Sequence, residues 1–288
     1  MATFRKILND REKEGETGYF SVLQNMSEEA HKSWLGQTGQ VWGSYNGVPH
    51  LTNVERNLDH LADDGLKSSF SSTEIFVLLA AALLHDIGKL TVKDPEKEAH
   101  YIQSCTKILK DWYYLRIPDL ECAHWIAVLT CAHGWPSPVP PPDCPALAGD
   151  LCALCCSGGG VPGFSELDSD PVALDGPVRL RWLAALLRMA DEVDNQVERA
   201  VPDWLRDSLP GEDPELSWRR HIHAVLFDHA GQCIKLCTLS LDPKRWNNKQ
   251  LSFLGQAVGK IDLVLPLLFP RAGAGVDHRA SQESSLLQ

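Results

Sequence analysis

In "LLHDIGKL", residues 83–90, a His and an Asp stand side by side at the end of an apolar run. A buried carboxylate without a partner is strongly unfavourable, and a divalent cation removes that penalty. Neighbours on a helix point about 100° apart, so His85 and Asp86 can grip one ion from two sides or hold two neighbouring ions. An ordinary hydrogen-bonded His–Asp pair is the competing reading, and further ligands decide between the two.

Further ligands are available. Asp191 falls on the helical stripe of Leu180, Ala184 and Leu187, where an apolar residue is expected, so it needs a cation or donors. His133 follows Cys122, Ile126 and Leu129 at helical spacing and is aimed inward, whereas His124, nine residues earlier, points the opposite way. His100 lies on the flank of the stripe of Tyr101, Cys105, Ile108 and Trp112. His50 and His60 compete for one place, because one ion cannot take both across about 15 Å of helix. His50, at a helix entrance beyond a Gly-Val-Pro turn, is preferred. Several His nitrogens with carboxylates suit Mn, Fe, Ni, Co or Zn better than Ca, with one or two ions held and Mg also compatible.

The elements that must position these residues are helical. Residues 1–13 suit a short helix, and "VWGSYNGVPH" is a turn-rich approach to a helix carrying Leu51, Val54, Leu58 and Leu61. "SSTEIFVLLAAALL" has Ser and Thr for a cap and apolar residues on every face, which predicts a helix buried all round. Helices follow over 94–115, over 119–135 up to Gly134 and Pro136, and over 178–197. Between the last two lie the proline-rich "PSPVPPPDCP", a short helix at "ALAGDLCALCC", and a loop over 157–177. After about residue 210, "HIHAVLFD" and "QCIKLCTLSL" alternate like strands joined at "HAG", before helical spacing returns. The expected architecture is mainly α: a helical unit over 1–208, a small α+β appendage of β-hairpin plus helix over 209–272, and a disordered tail over 273–288.

The chain has 288 residues, enough for a sizeable core, with 44% hydrophobic and 23% charged residues as in globular proteins. Its net charge of −11 argues against a broad nucleic-acid or anionic-membrane surface, so a phosphate-bearing substrate needs local cations. The charged amino terminus has no apolar signal core, and "IFVLLAAALL" is too short to span a bilayer, which makes a cytoplasmic location the expectation. Nine cysteines in such a chain read as reduced thiols. Cys144, Cys152, Cys155 and Cys156 include one C-x-x-C but no second pair, a weak zinc signal, and His221 and His223 share one face of a strand.

The order His50, His85-Asp86, Asp191 resembles the H…HD…D signature of the HD-domain superfamily of metal-dependent phosphohydrolases, over roughly residues 48–196. "LLHDIGKL" and "LRMADEVD" look like its local settings. The resemblance implies an HD-domain helical bundle in which His50, His85, Asp86 and Asp191 hold a first metal, with Asp86 bridging to a second. His100 and His133 match the second-metal positions of two-metal members such as the HD-GYP phosphodiesterases, although "GYP" is absent and Gly134 stands where those enzymes often have a second His. Lys89 would contact a substrate phosphate and, with Asp86, carry catalysis. Arg188 would bind the same phosphate or, on the other reading, be solvated on a polar helix face. Asp194 would orient a His ligand or be exposed. The expected activity is hydrolysis of a phosphodiester in a nucleotide or nucleic acid. Nucleotidase or triphosphohydrolase action, di-iron oxygenase chemistry and a non-catalytic nucleotide-binding module are the alternatives. The appendage could dock a protein partner or a second copy of the chain.

Overall fold

The computed structural model describes residues 2–35, 47–90, 100–133, 172–194, 222–228 and 233–238. The chain divides into two compact units, Met1–Trp42 with Asn46–Asp194, and Gly43–Tyr45 with Asn195–Gln288. Among the described residues the fold is mainly helical with two small two-stranded antiparallel sheets, the mainly α class expected from the sequence.

In the first unit, α1 (Phe4–Lys13) starts where the Thr3 side chain accepts the Lys6 N–H. Helix α2 (Tyr19–Leu35) lies where the sequence reading placed no element, and among the described side chains it buries Leu23, Met26 and Ala30. The turn at Gly47, whose φ of 120° favours a residue without a Cβ, leads into α3 (Val48–Leu61) with Pro49 in its first turn. A short α4 (Asp64–Ser68) follows, capped by Asp63.

Helix α5 (Ser72–Leu84) is the centre of this unit. All 13 of its residues are buried, as its unbroken apolar pattern predicts. Ser71 and Glu74 close a reciprocal capping box at its start. Glu74 also takes a two-pronged ion pair from Arg179, with Nε at 2.7 Å and a terminal nitrogen at 2.8 Å. Helices α1, α2 and α3 pack on α5, as do α7 (Leu120–His133) and α8 (Leu180–Glu192). Helix α6 (His100–Asp111) packs on α7 and on the single 3-10 turn Ile87–Leu90 that follows α5.

Within the expected loop over 157–177 the structure contains a minute hairpin, β1 (Val172–Ala173) with β2 (Gly176–Pro177). Gly176, at φ 133°, permits the tight reversal, and Asp175 accepts the Thr73 N–H at 2.8 Å, so the hairpin pins the start of α5. In the second unit, β3 (Ile222–Asp228) pairs antiparallel with β4 (Cys233–Thr238), the hairpin expected from the alternation. The boundary near 208, the proline-rich connector, the Cys144–Cys156 cluster, His221, the helix after residue 246 and the tail lie outside the described residues. Cys105, Cys122 and Cys131 are buried thiols, and burial pushes the Cys122 thiol up to about 12. Among the described residues, no helix is long and apolar enough to cross a membrane.

One carboxylate on α3 makes stability pH-dependent. Asp59 accepts the Phe4 N–H at 2.7 Å, and burial raises its carboxyl to about 6. The native chain thus binds this proton more tightly than the unfolded chain, so the contribution is favourable at low pH and is lost as pH rises from about 4 through about 6. Asp59→Asn keeps an acceptor and is expected to be about 1 kcal/mol more stable than the parent at pH 7.5, a figure reduced for partial exposure. The gain should vanish at pH 4.5. Paired thermal unfolding by circular dichroism at the two pH values checks this, and an equal difference at both would refute it.

Candidate metal centre

Five helix ends converge on Asp86. His50 lies in the first turn of α3, His85 is the residue that ends α5, and Asp86 follows it. The pair therefore straddles a helix end rather than sitting within a helix, as the sequence pattern suggested. His100 opens α6, His133 closes α7, and Asp191 is in the last turn of α8. His50, His85, Asp86 and His133 are buried, while the side chains of Asp191 and His100 are 23% and 25% exposed and that of Lys89 is 16% exposed. These last three line the open edge of the centre. His60, the rival of His50, is exposed.

The two oxygens of Asp86 face two sets of ligands. Oδ2 lies 3.3 Å from His50 Nε2 and 3.5 Å from His85 Nε2. Those two nitrogens are 3.0 Å apart, and they lie 3.3 and 3.7 Å from Asp191 Oδ1. An ion bonded to N and O ligands at about 2.1 Å holds neighbouring ligand atoms about 3.0 to 3.4 Å apart, so this spacing matches one. Oδ1 of Asp86 faces the other way, 3.4 Å from His100 Nε2 and 3.9 Å from His133 Nε2. It is buried with no hydrogen-bond partner among the described residues, and that position suits a second cation. His50, His85 and Asp191 form one group close enough to hold an ion, and His85, Asp86 and His133 form another.

Proton placement adds an independent argument. His50 Nδ1 donates to Asp194 Oδ2 at 2.6 Å, His85 Nδ1 donates to the Ala82 carbonyl at 2.8 Å, and His133 Nδ1 donates to the Thr130 carbonyl. Each neutral ring then carries its proton on Nδ1 and presents a bare lone pair at Nε2. Two lone pairs facing each other across 3.0 Å repel unless a cation joins them. The residues therefore fit a divalent transition ion.

Burial drives the His133 ring down to about 3 and the His100 ring down to about 4, so both rings are neutral at physiological pH. Burial alone would raise the Asp86 carboxyl, but the Lys89 ammonium beside it holds it well below its ordinary value. Asp191, flanked by His50 and His85, is likewise held low against burial.

Two readings of helix faces are corrected here. Arg188 is fully buried, not solvated on a polar face, and its charged neighbours are Glu192 and Asp191. Asp194 is fully buried against His50, not exposed. His124 is buried on α7 and belongs to neither group of ligands. Residues that hold the centre in register went unnoticed in the sequence. Asn57 donates to the Ala190 carbonyl at 3.0 Å, tying the His50 helix to the Asp191 helix. Gly88 donates its N–H to Ser104 Oγ at 2.7 Å, tying the turn after Asp86 to α6. Neither left a signal in the chain, since an Asn at a core position and a Gly after His-Asp-Ile have many local explanations.

The family model HD-CE matches residues 46–239, two thirds of the chain, a range that includes every candidate ligand above. No curated protein and no solved structure matches the chain.

Proposed function

The chain belongs to the HD-CE family, and on that premise we propose that it is a metal-dependent hydrolase of phosphoester bonds, acting on a diester in a nucleotide or nucleic acid. The observation that carries the reading is the division of Asp86, with Oδ2 turned to His50 and His85 and Oδ1 turned to His100 and His133. One carboxylate can thus serve two ions. Divalent ions held there would supply hydroxide from water at neutral pH and neutralise phosphoryl oxygens as a leaving oxygen departs.

The protein's own groups do the rest. Asp194 and the Ala82 and Thr130 carbonyls fix the His rings so that Nε2 faces inward. The open edge, formed by Asp191, His100 and Lys89, is where an anionic substrate would enter. An overall charge of −11 makes local cations necessary for such a substrate, and Lys89 and the buried Arg188 are the ones at hand.

The test is metal content by mass spectrometry on protein purified without chelator, beside hydrolysis of bis(p-nitrophenyl) phosphate and p-nitrophenyl phosphate with added Mn. About two ions per chain and preference for the diester are expected. His133→Ala should retain one ion and lose diester hydrolysis more than monoester hydrolysis. Tightly bound metal with no turnover of either compound, or of a nucleotide panel, would overturn the proposal, and oxygen consumption by the iron-loaded protein would replace it with oxygenase chemistry.

A further inference from the structure

Lys89 Nζ lies 2.5 Å from Asp86 Oδ2, the same oxygen that faces His50 and His85. The contact is built in by the backbone, because the Lys89 N–H closes the 3-10 turn onto the Asp86 carbonyl at 2.9 Å and places the two side chains three residues apart on one side. Asp86 is 1% exposed, so its carboxylate must have a cation at hand at every stage of the protein's life. A divalent ion bonded to His50, His85 and Oδ2 would stand beside that ammonium in a buried setting where repulsion between cations is only weakly screened. Ammonium and ion therefore contend for one oxygen.

We propose that Lys89 is the resident counter-cation of Asp86, which an incoming metal ion displaces. The side chain is 16% exposed and has a way out, toward the edge shared with Asp191 and His100. Loading the centre thus releases a positive group at the mouth, where it can meet a phosphoryl oxygen, and metal binding arms the substrate-binding residue. This rests on the metal-hydrolase reading above and extends it to an order of events: ion first, ammonium released, anion second. A lysine with only a structural role in the turn predicts the reverse effect on metal affinity.

Two experiments read the exchange. In the wild-type chain, acetylation of Lys89 by a small acylating reagent, followed by peptide mass spectrometry, is expected to rise about fivefold or more when Mn replaces chelator, because the amine leaves its carboxylate. Unchanged or reduced labelling overturns the exchange. In calorimetric titration with Mn, Lys89→Met is expected to bind about tenfold more tightly than wild type, since a competing charge is gone, while Lys89→Arg stays near wild type. Equal or weaker binding by Lys89→Met overturns the exchange and leaves the hydrolase reading standing. A wild-type chain that binds no metal at all overturns both. The labelling experiment needs no variant and so decides the matter even if Lys89→Met fails to fold.

Discussion

Asp86→Ala is expected to lose bound metal and phosphoester hydrolysis together, with activity falling at least about a thousandfold, the equivalent of about 4 kcal/mol of transition-state stabilisation. Among the described residues, Asp86 is the one whose two oxygens address both sets of candidate ligands, so none of the other described carboxylates can substitute for it. The variant should still fold. Its buried carboxylate is gone, and Lys89, partly exposed, can turn to solvent rather than remain unpaired. Asp86→Asn, which preserves volume, guards against a packing effect. Metal content, hydrolysis of the diester and thermal unfolding, measured together, check the result. Retained metal with lost activity would move Asp86 from ligand to another role, and retained activity would remove the centre as the seat of the chemistry.

Gly88→Ala should separate the two halves of the centre. A Cβ at this position would overlap the His100 carbonyl oxygen and the Ser104 nitrogen and would lie 2.8 Å from Ser104 Oγ. The obstructing atoms are mainly backbone in the first turn of α6, so the helix must shift as a body. That moves His100 away from Asp86 Oδ1 and lengthens the hydrogen bond from Gly88 to Ser104. His50, His85 and Asp191 come from α3, α5 and α8 and are not displaced directly. The expected result is one retained ion, a second ion bound at least about tenfold more weakly, and a loss of about 2 to 3 kcal/mol in stability from overpacking. Titration with Mn and chemical denaturation check it. Two ions bound with wild-type affinity would show that the turn and α6 are not coupled.

Both predictions depend on features with different visibility in the chain. The candidate ligand types were legible because a polar residue on an apolar helical stripe stands out, and His50 was preferred to His60 for its place at a helix entrance beyond a Gly-Val-Pro turn. The burial of His50 and the exposure of His60 match that reading. The all-round burial of α5 and the β3–β4 hairpin were equally legible, since continuous apolar character and strict alternation are local patterns. Helix α2 was less so, because Phe20, Leu23, Met26, Ala30 and Trp34 recur at helical spacing but are interleaved with nine polar or charged residues. Arg188 was ambiguous for a different reason. Its angle on α8 suited a polar face, yet α3, α5 and α7 all pack on that helix, which leaves little of it for solvent.

What the chain alone determined, then, is the donor inventory and the helices that carry it: imidazoles and carboxylates at inward positions in a mainly helical unit, in an order similar to that of metal-dependent phosphohydrolases. These follow from side-chain type and from a period of about 3.6 residues, both of which are local properties. Only the tertiary structure decided that the ends of five helices meet, that Asp86 turns one oxygen to each set of candidate ligands, that backbone carbonyls take the Nδ1 protons of His85 and His133, and that Lys89 points at the Asp86 oxygen that faces His50 and His85. Those relations join residues up to 144 positions apart, as with His50 and Asp194. They are set by how buried faces pack against one another, and no spacing along a single helix encodes that.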